Sequence, residues 1–267
     1  MLNLRYVTEN TAVLIFTPVN RRYLTGFSSS LGFLLLTKDE NILFVDGRYY
    51  EAAMSLVTDA KVVLIKNIYE QINETLAKTD VKKILIETEN EISLFSGLKE
   101  KLNVKVVPSA PLSNRLLDLR SVKSKKEVDN IIKAQRIAEK AFEDILDYIK
   151  VGMTEKQIAA TLNYKMMCYG ADNPSFDTIV VSGKNSSLPH GVPTEKVVEK
   201  GDFITMDFGA LYNGYCSDMT RTIAVGKPTD EMKKVYNTVL MSQESAEKAA
   251  KAGAFCSDVD KAARDVI

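Results

Sequence analysis

GDFITMDFGALYNGYCSDMTRTIAV, residues 201–225, is the stretch on which the reading of this chain turns. Asp202–Ala210 is apolar apart from its acids and one threonine, and Tyr215–Val225 has the pattern of a returning strand. Between them Asn213-Gly214 is the strongest short-range hairpin signal. Asp207 lies in mid-strand between Met206 and Phe208, and Asp218 lies on the return. Aspartate is depleted in strands, and a buried carboxylate without a partner is costly. If Asn213 and Gly214 are the central turn residues, Asp207 faces Thr220 and Asp218 is its diagonal neighbour on the same sheet face. If the loop is Leu211–Gly214, the two acids are directly opposite. Either register puts both carboxylates on one face, roughly 4.5–8 Å apart in Cα terms. Two like charges that close destabilise a hairpin unless one is protonated or a cation sits between them. A divalent metal held by hard oxygen ligands meets that need. The competing reading is structural: an aspartate near a turn caps backbone N–H groups or pairs with a neighbouring arginine, and Arg221 is placed to do so for Asp218.

Composition narrows the kind of site. The chain has 267 residues with 35 basic and 35 acidic side chains, three cysteines and one histidine. A balanced charge gives no general attraction to nucleic acid or to an anionic membrane. The single histidine, His190, rules out within this chain any site built on two or more histidines, so a metal centre here depends on carboxylates. His190 sits between Pro189 and Gly191 in a loop ahead of the acidic hairpin, a setting that suits function as well as structure. Cys168, Cys216 and Cys256 are widely spaced without a CxxC pair, which predicts buried thiols in a reducing, cytoplasmic setting. The start, MLNLRYVTENTAVLIF, lacks the pattern of a secretory leader, and no apolar run approaches a membrane span.

Working outward to the amino terminus, short apolar runs recur at Val13–Phe16, Phe33–Leu36, Ile42–Val45, Val62–Ile65, Ile84–Ile86 and Val104–Val107. Helical patterns at Arg48–Val57, Ile68–Lys78 and Glu91–Leu102 lie between several of them, an α/β alternation. The glycines form no phosphate-binding loop. Pro108–Asn114 is proline-rich and polar and suits a linker, so residues 1–118 are expected to form one domain and 119–267 a second. Ser124 and Glu127 have capping-box spacing and open a long helix to about Lys150, with Val128, Ile131, Ile132, Ala138, Phe142, Ile145 and Ile149 as its apolar stripe. The basic cluster Lys123, Lys125 and Lys126 is a solvated helix start rather than a nucleic-acid site. Gly152 is expected to end that helix, and Thr154 caps another that runs to Gly170.

PHGVP at 189–193 followed by MDFGALYNGYCSDMTRT at 206–222 resembles the metallopeptidases of the pita-bread fold, and within them the Xaa-Pro aminopeptidases and Xaa-Pro dipeptidases. RYLTGFSSSLGFLLL at 22–36 and LFVDGRYYEAA at 43–53 resemble their creatinase-like amino-terminal domain, and LRSVKSKKEVDNIIKAQRIAEKAF at 119–142 the entry to their catalytic domain. The resemblance implies a creatinase-like α/β domain followed by an α+β pita-bread domain. It also implies two divalent metal ions, usually manganese, otherwise cobalt or zinc, with Asp207 binding one and Asp218 bridging both. By the same resemblance His190 contacts the substrate near the scissile bond, substrates are peptides with proline second, and the enzyme is a homodimer when full length. The serine loop at 28–30 and the Asp-Gly-Arg-Tyr pattern favour the aminopeptidase over the dipeptidase; a non-catalytic peptide-binding scaffold is the reading from a different class.

The chain departs from that family pattern. The family site needs one further histidine and two glutamates, borne by strand motifs that do not occur here. A helical pattern begins at Ser257 and the sequence stops within it, while 150–162 and 251–267 share a weak echo, as two related halves would. The expectation is a carboxy-terminally truncated chain with its second half missing and little activity of its own, and a first domain trimmed at its front.

Overall fold

The computed structural model describes residues 5–89 and 91–267 and divides the chain into two compact units, 1–123 and 124–267. The first four residues of the start discussed above lie outside the described residues. No helix among those described is long and apolar enough to cross a membrane.

The first unit runs β1 (Thr11–Ile15), α1 (Pro18–Thr25), β2 (Gly32–Leu36), β3 (Asn41–Val45), α2 (Tyr50–Leu56), β4 (Lys61–Leu64), α3 (Ile68–Leu76), β5 (Lys83–Ile86), α4 (Ile92–Lys101), β6 (Lys105–Pro108) and α5 (Ala110–Ser121). All six apolar runs are strands. They form one sheet ordered β4-β3-β2-β1-β5-β6, parallel at β3/β4, β1/β5 and β5/β6 and antiparallel around β2. β1, β2 and β3 are buried at every position, which is why they read as unbroken apolar runs rather than alternating ones. Ala12, Leu14, Leu35 and Phe44 pack with Ile72 of α3 and Leu98 of α4, while Val13, Ile15, Leu34 and Leu43 pack with Leu24, Ala53, Leu112 and Leu116 of α1, α2 and α5.

Two helices of this unit escape the sequence pattern. In α1 the buried positions include Asn20 and Arg21, so no apolar stripe is visible. Arg21 donates to the carbonyls of Phe16, Gly32 and Ser29, and Glu87 accepts from the amides of Phe16 and Thr17, which satisfies most of this buried polar group. The segment expected to be a linker, Pro108–Asn114, is instead the end of β6 and the first turn of α5. Ser109 caps that helix by accepting from Leu112 N, and Pro111 occupies its first turn, where a missing N–H costs nothing. Residue 118 therefore falls inside a helix, and the two units divide after Lys123.

The second unit runs α6 (Lys125–Leu146), α7 (Glu155–Cys168), β7 (Asn173–Pro174), β8 (Ile179–Ser182), a 3-10 turn at Gly183–Ser187, β9 (Phe203–Phe208), β10 (Ala210–Tyr212), β11 (Tyr215–Cys216), β12 (Met219–Ala224), α8 (Asp230–Ala249) and α9 (Cys256–Arg264). The capping box at Ser124 and Glu127 forms in both directions, as does one at Thr154 and Gln157. α6 ends at Leu146, short of Lys150, and its buried face is Ala134, Ile137, Ala138, Ala141 and Ile145. Val128 and Ile132, placed in the stripe from the sequence, are 41% and 50% exposed. Small alanines let the helix lie close to the sheet, where it meets Met206 and Phe208 of β9 and Ile158 and Leu162 of α7. Phe142 stacks on Phe208 with ring centroids 6.1 Å apart. The three cysteines are free and exposed, not buried as composition suggested: each lies at or near an element's end, turned from the core.

Candidate metal and substrate site

The acidic hairpin is one long antiparallel ribbon cut in two. Asn213 and Gly214 take φ of 46° and 69°, the left-handed conformations that a tight two-residue turn demands. Tyr212 then pairs with Tyr215, Phe208 with Met219 and Asp207 with Thr220. The register with Asn213-Gly214 as the central turn residues is therefore the one adopted, and Asp218 lies two residues before the partner of Asp207.

The ribbon is cut at Gly209 and at Ser217-Asp218. On the turn side, β10 and β11 join β7 in one three-stranded sheet; on the other, β12, β9 and β8 form a second. The junction is closed by hydrogen bonds. Ser217 Oγ accepts from Ala210 N at 2.9 Å, Ser175 N donates to Gly209 O at 2.9 Å, and Ser175 Oγ donates to Ser217 O at 2.8 Å. A Cβ on Gly209 would come within 1.9 Å of Ser217 O and 2.3 Å of Ser175 Oγ, so only glycine allows this closure. Ser217 is buried and Asp218, next to it, is exposed. The break thus turns Asp218 outward from an anchored neighbour.

Along β9 burial alternates: Ile204, Met206 and Phe208 face the core, while Phe203, Thr205 and Asp207 face the other way and are half-buried. Asp207 has Ile179 of β8 on one side and Thr220 of β12 on the other, and its Oδ1 accepts from Thr220 Oγ1 at 2.9 Å. The acids are not the buried pair suggested by their apolar neighbours. The period of two explains this, because Met206 and Phe208 point into the core and Asp207 does not. Arg221 is not the partner of Asp218; its guanidinium donates to Thr220 O at 2.8 Å, and no ion pair to Asp218 occurs among the described residues.

His190 comes from the same unit. The chain leaves β8 through the 3-10 turn, and Leu188 N and Gly191 N donate to Asn185 O and Leu188 O at 2.9 and 3.2 Å. Gly191 lies so close to β8 that a Cβ there would come within 2.5 Å of Val181 Cγ1. The exposed imidazole lines a cavity of about 520 Å³ whose walls include Val181, Leu188, Pro189 and Val192. Asp207 and Asp218 are not among the residues lining it.

One residue at the base of the His190 loop gave no signal in the sequence. Glu155, at the start of α7, is fully buried, and its carboxylate accepts hydrogen bonds from Ser182, Asn185 and Thr194 around the base of the His190 loop. Burial pushes this carboxyl up, but the bonds from Thr194 and Ser182 outweigh it and hold it below the ordinary 4.5. A depressed folded value means that the stability it contributes is complete above the unfolded value near 4.5 and is lost as pH falls through the folded one. We expect residues 124–267 to lose stability on acidification below about 4.5, and Glu155→Gln to flatten that dependence; denaturation at pH 6 and pH 3.5 measures it. An equal acid slope in the variant would refute the assignment.

Two carboxylates on neighbouring positions suit a hard divalent cation by donor chemistry. They do not complete a site alone: no group of three His, Cys, Asp or Glu side chains placed to hold a metal occurs among the described residues.

Comparison with known proteins agrees with this architecture. Residues 9–122 match the creatinase/prolidase N-terminal domain, and residues 129–267 match metallopeptidase family M24. Those two modules in that order define a two-domain metallopeptidase of the pita-bread class. The chain belongs to metallopeptidase family M24. It is 38% identical to an Xaa-Pro dipeptidase of Pyrococcus furiosus over 98% of this chain and 75% of that one. Among solved structures it resembles an Xaa-Pro dipeptidase from Bacillus anthracis (37% identity, TM-score 0.89, 96% of this chain and 72% of that one). An X-Pro aminopeptidase from Thermotoga maritima is equally similar (37% identity, TM-score 0.89, 97% and 73%).

Proposed function

We propose that this protein is an Xaa-Pro aminopeptidase, which removes the first residue from peptides with proline in second position. The observation that carries the reading is the hairpin: two acids set beside the break in an anchored ribbon, in a chain of the M24 family with Xaa-Pro peptidases as relatives. In this reading Asp207 and Asp218 hold divalent metal, manganese first, as two members of a larger donor set. When bound, a pair of such ions supplies a water of lowered pKa and polarises the scissile carbonyl. The chain's own residues do the rest. Thr220 Oγ1 occupies one lone pair of Asp207 Oδ1 and so fixes the carboxylate plane. The His190 imidazole donates toward the substrate carbonyl from an apolar cavity that accepts a prolyl ring, which has no N–H to satisfy.

The Pyrococcus and Bacillus relatives favour a second reading, Xaa-Pro dipeptidase, in which only two-residue substrates are cut. Incubation with Ala-Pro and with Ala-Pro-Ala, both with manganese, separates the two. Cleavage of the tripeptide alone supports the first reading, and cleavage of the dipeptide alone supports the second. Since the described residues supply no third donor, we expect turnover by this 267-residue chain to be low, at least a hundredfold below a complete dinuclear site. Robust chelator-sensitive hydrolysis by the chain as it stands would contradict that expectation.

A further inference from the structure

The loop that carries His190 leaves β8 at Ser182 and comes back at Thr194, and one side chain joins these two points. Glu155 Oε1 accepts from Ser182 N at 2.7 Å, Ser182 Oγ at 3.0 Å and Asn185 Nδ2 at 3.2 Å. Its Oε2 accepts from Thr194 N at 3.0 Å and Thr194 Oγ1 at 2.7 Å. The carboxylate is 0% exposed. A buried charge survives only if its lone pairs are filled, and here every donor belongs to the two ends of one loop.

The helix does not need this carboxylate. Thr154 and Gln157 already cap α7, and the amides of Glu155 and Lys156 donate to Lys196 O and Thr194 O at 3.1 and 3.2 Å. A second tie reinforces the same point: Lys196 Nζ donates to Ser182 Oγ at 3.0 Å and to Asp202 Oδ2 at 2.8 Å, at the entry to β9. The loop is thus fastened at its base and pressed onto β8 by Gly191, while its tip, with His190, is exposed.

We propose that Glu155 is the positioning residue of the His190 loop, a clamp that holds the imidazole at its cavity without touching substrate. The use made of the clamp rests on reading His190 as the substrate contact; the clamp itself rests on the hydrogen bonds.

The chain's single histidine makes the test direct, because every imidazole signal in a ¹³C-edited spectrum of the whole protein belongs to His190. In Glu155→Gln, the side-chain amide turns an N–H toward donors. We expect the His190 signal to shift or broaden and exchange of the Ser182 and Thr194 amides to quicken at least tenfold, with β9 amides changed less than twofold. Thr194→Val removes one hydroxyl donor at an exposed position and should move the same signals in the same direction by a smaller factor, about threefold. An unmoved imidazole and unchanged exchange in a folded Glu155→Gln would overturn the proposal. So would a Glu155→Gln chain that fails to fold together with a Thr194→Val chain that shows no change, since Glu155 would then serve the fold as a whole. Titration of the unaltered chain with Ala-Pro-Ala separates the two readings. If His190 ignores the peptide but responds to Glu155→Gln, the proposed function fails and the clamp stands. If it responds to the peptide but not to Glu155→Gln, the clamp fails and the function stands.

Discussion

Gly209→Ala is expected to lower the stability of residues 124–267 by about 3 kcal/mol or more, because it drives a methyl group into backbone. The added carbon would lie 1.9 Å from Ser217 O and 2.7 Å from Ser217 C, and neither atom can rotate away. Relief requires the two strands to part at the junction, which would break the bonds from Ser175 Oγ to Ser217 O and from Ala210 N to Ser217 Oγ. Each buried group left unpaired costs about 1–3 kcal/mol. Gly191→Ala is the informative control, since its methyl would meet the terminal carbon of Val181 at 2.5 Å, and a side chain can change rotamer. Its cost should be nearer 1 kcal/mol. The chain has no tryptophan, so denaturant unfolding is followed by far-UV circular dichroism and tyrosine fluorescence. A Gly209→Ala protein within about 0.5 kcal/mol of its parent would show that the break in the ribbon is not closed in this way.

The same junction shows how far the sequence could be read. Asn213-Gly214 announced the turn because few residues other than Asn and Gly accept its dihedrals, but the two registers it allowed differ by two residues and present the same face, so the alternating apolar residues of β9 did not choose between them. The cut at Gly209 was not legible. An isolated glycine in a strand hints at a close backbone approach, but the residues that approach it, Ser175 and Ser217, are ordinary polar residues far apart in the chain. The six strands of the first unit were plain because burial on both faces leaves unbroken apolar runs. α1 was not, because its inward face carries Asn20 and Arg21, which only tertiary hydrogen bonds make tolerable. The start of α5, within Pro108–Asn114, reads as a linker since prolines in a first helical turn look the same in sequence as prolines in a loop. In α6 the expected stripe includes Val128 and Ile132 because hydrophobicity favours large side chains, whereas close helix–sheet packing adds Ala134 and Ala141 to the expected Ala138. Glu155 is the sharpest case. An acid in the first turn of a helix is expected from the helix dipole alone, so nothing marked it as the base of the His190 loop.

Asp207→Asn and Asp218→Asn are each expected to abolish the response of this chain to manganese, lowering its affinity at least a hundredfold, about 2.7 kcal/mol, while leaving the metal-free protein as stable as before or slightly more so. The sign of the second effect follows from charge. Asp218 is exposed and Asp207 half-buried, and they are near neighbours on one ribbon, so neutralising either relieves repulsion. The sign of the first follows from linkage. A cation that binds the folded hairpin and not the unfolded chain raises stability by RT ln(1 + [L]/Kd). Two carboxylate donors without a third support only a weak site; for a Kd of about 1 mM, 10 mM manganese adds about 1.4 kcal/mol. Screening by ionic strength cannot imitate this, because magnesium at equal concentration screens alike but keeps its own water shell more firmly. The measurement is denaturant unfolding of the parent and both variants with no divalent ion, with 10 mM manganese and with 10 mM magnesium. A parent that gains nothing from manganese, or variants that gain as much as the parent, would remove the hairpin from the metal site and leave the non-catalytic, peptide-binding reading of the chain in its place. If only Asp218→Asn kept the response, the cation would be held from the side of Asp207, and Asp218 would leave the proposed donor set.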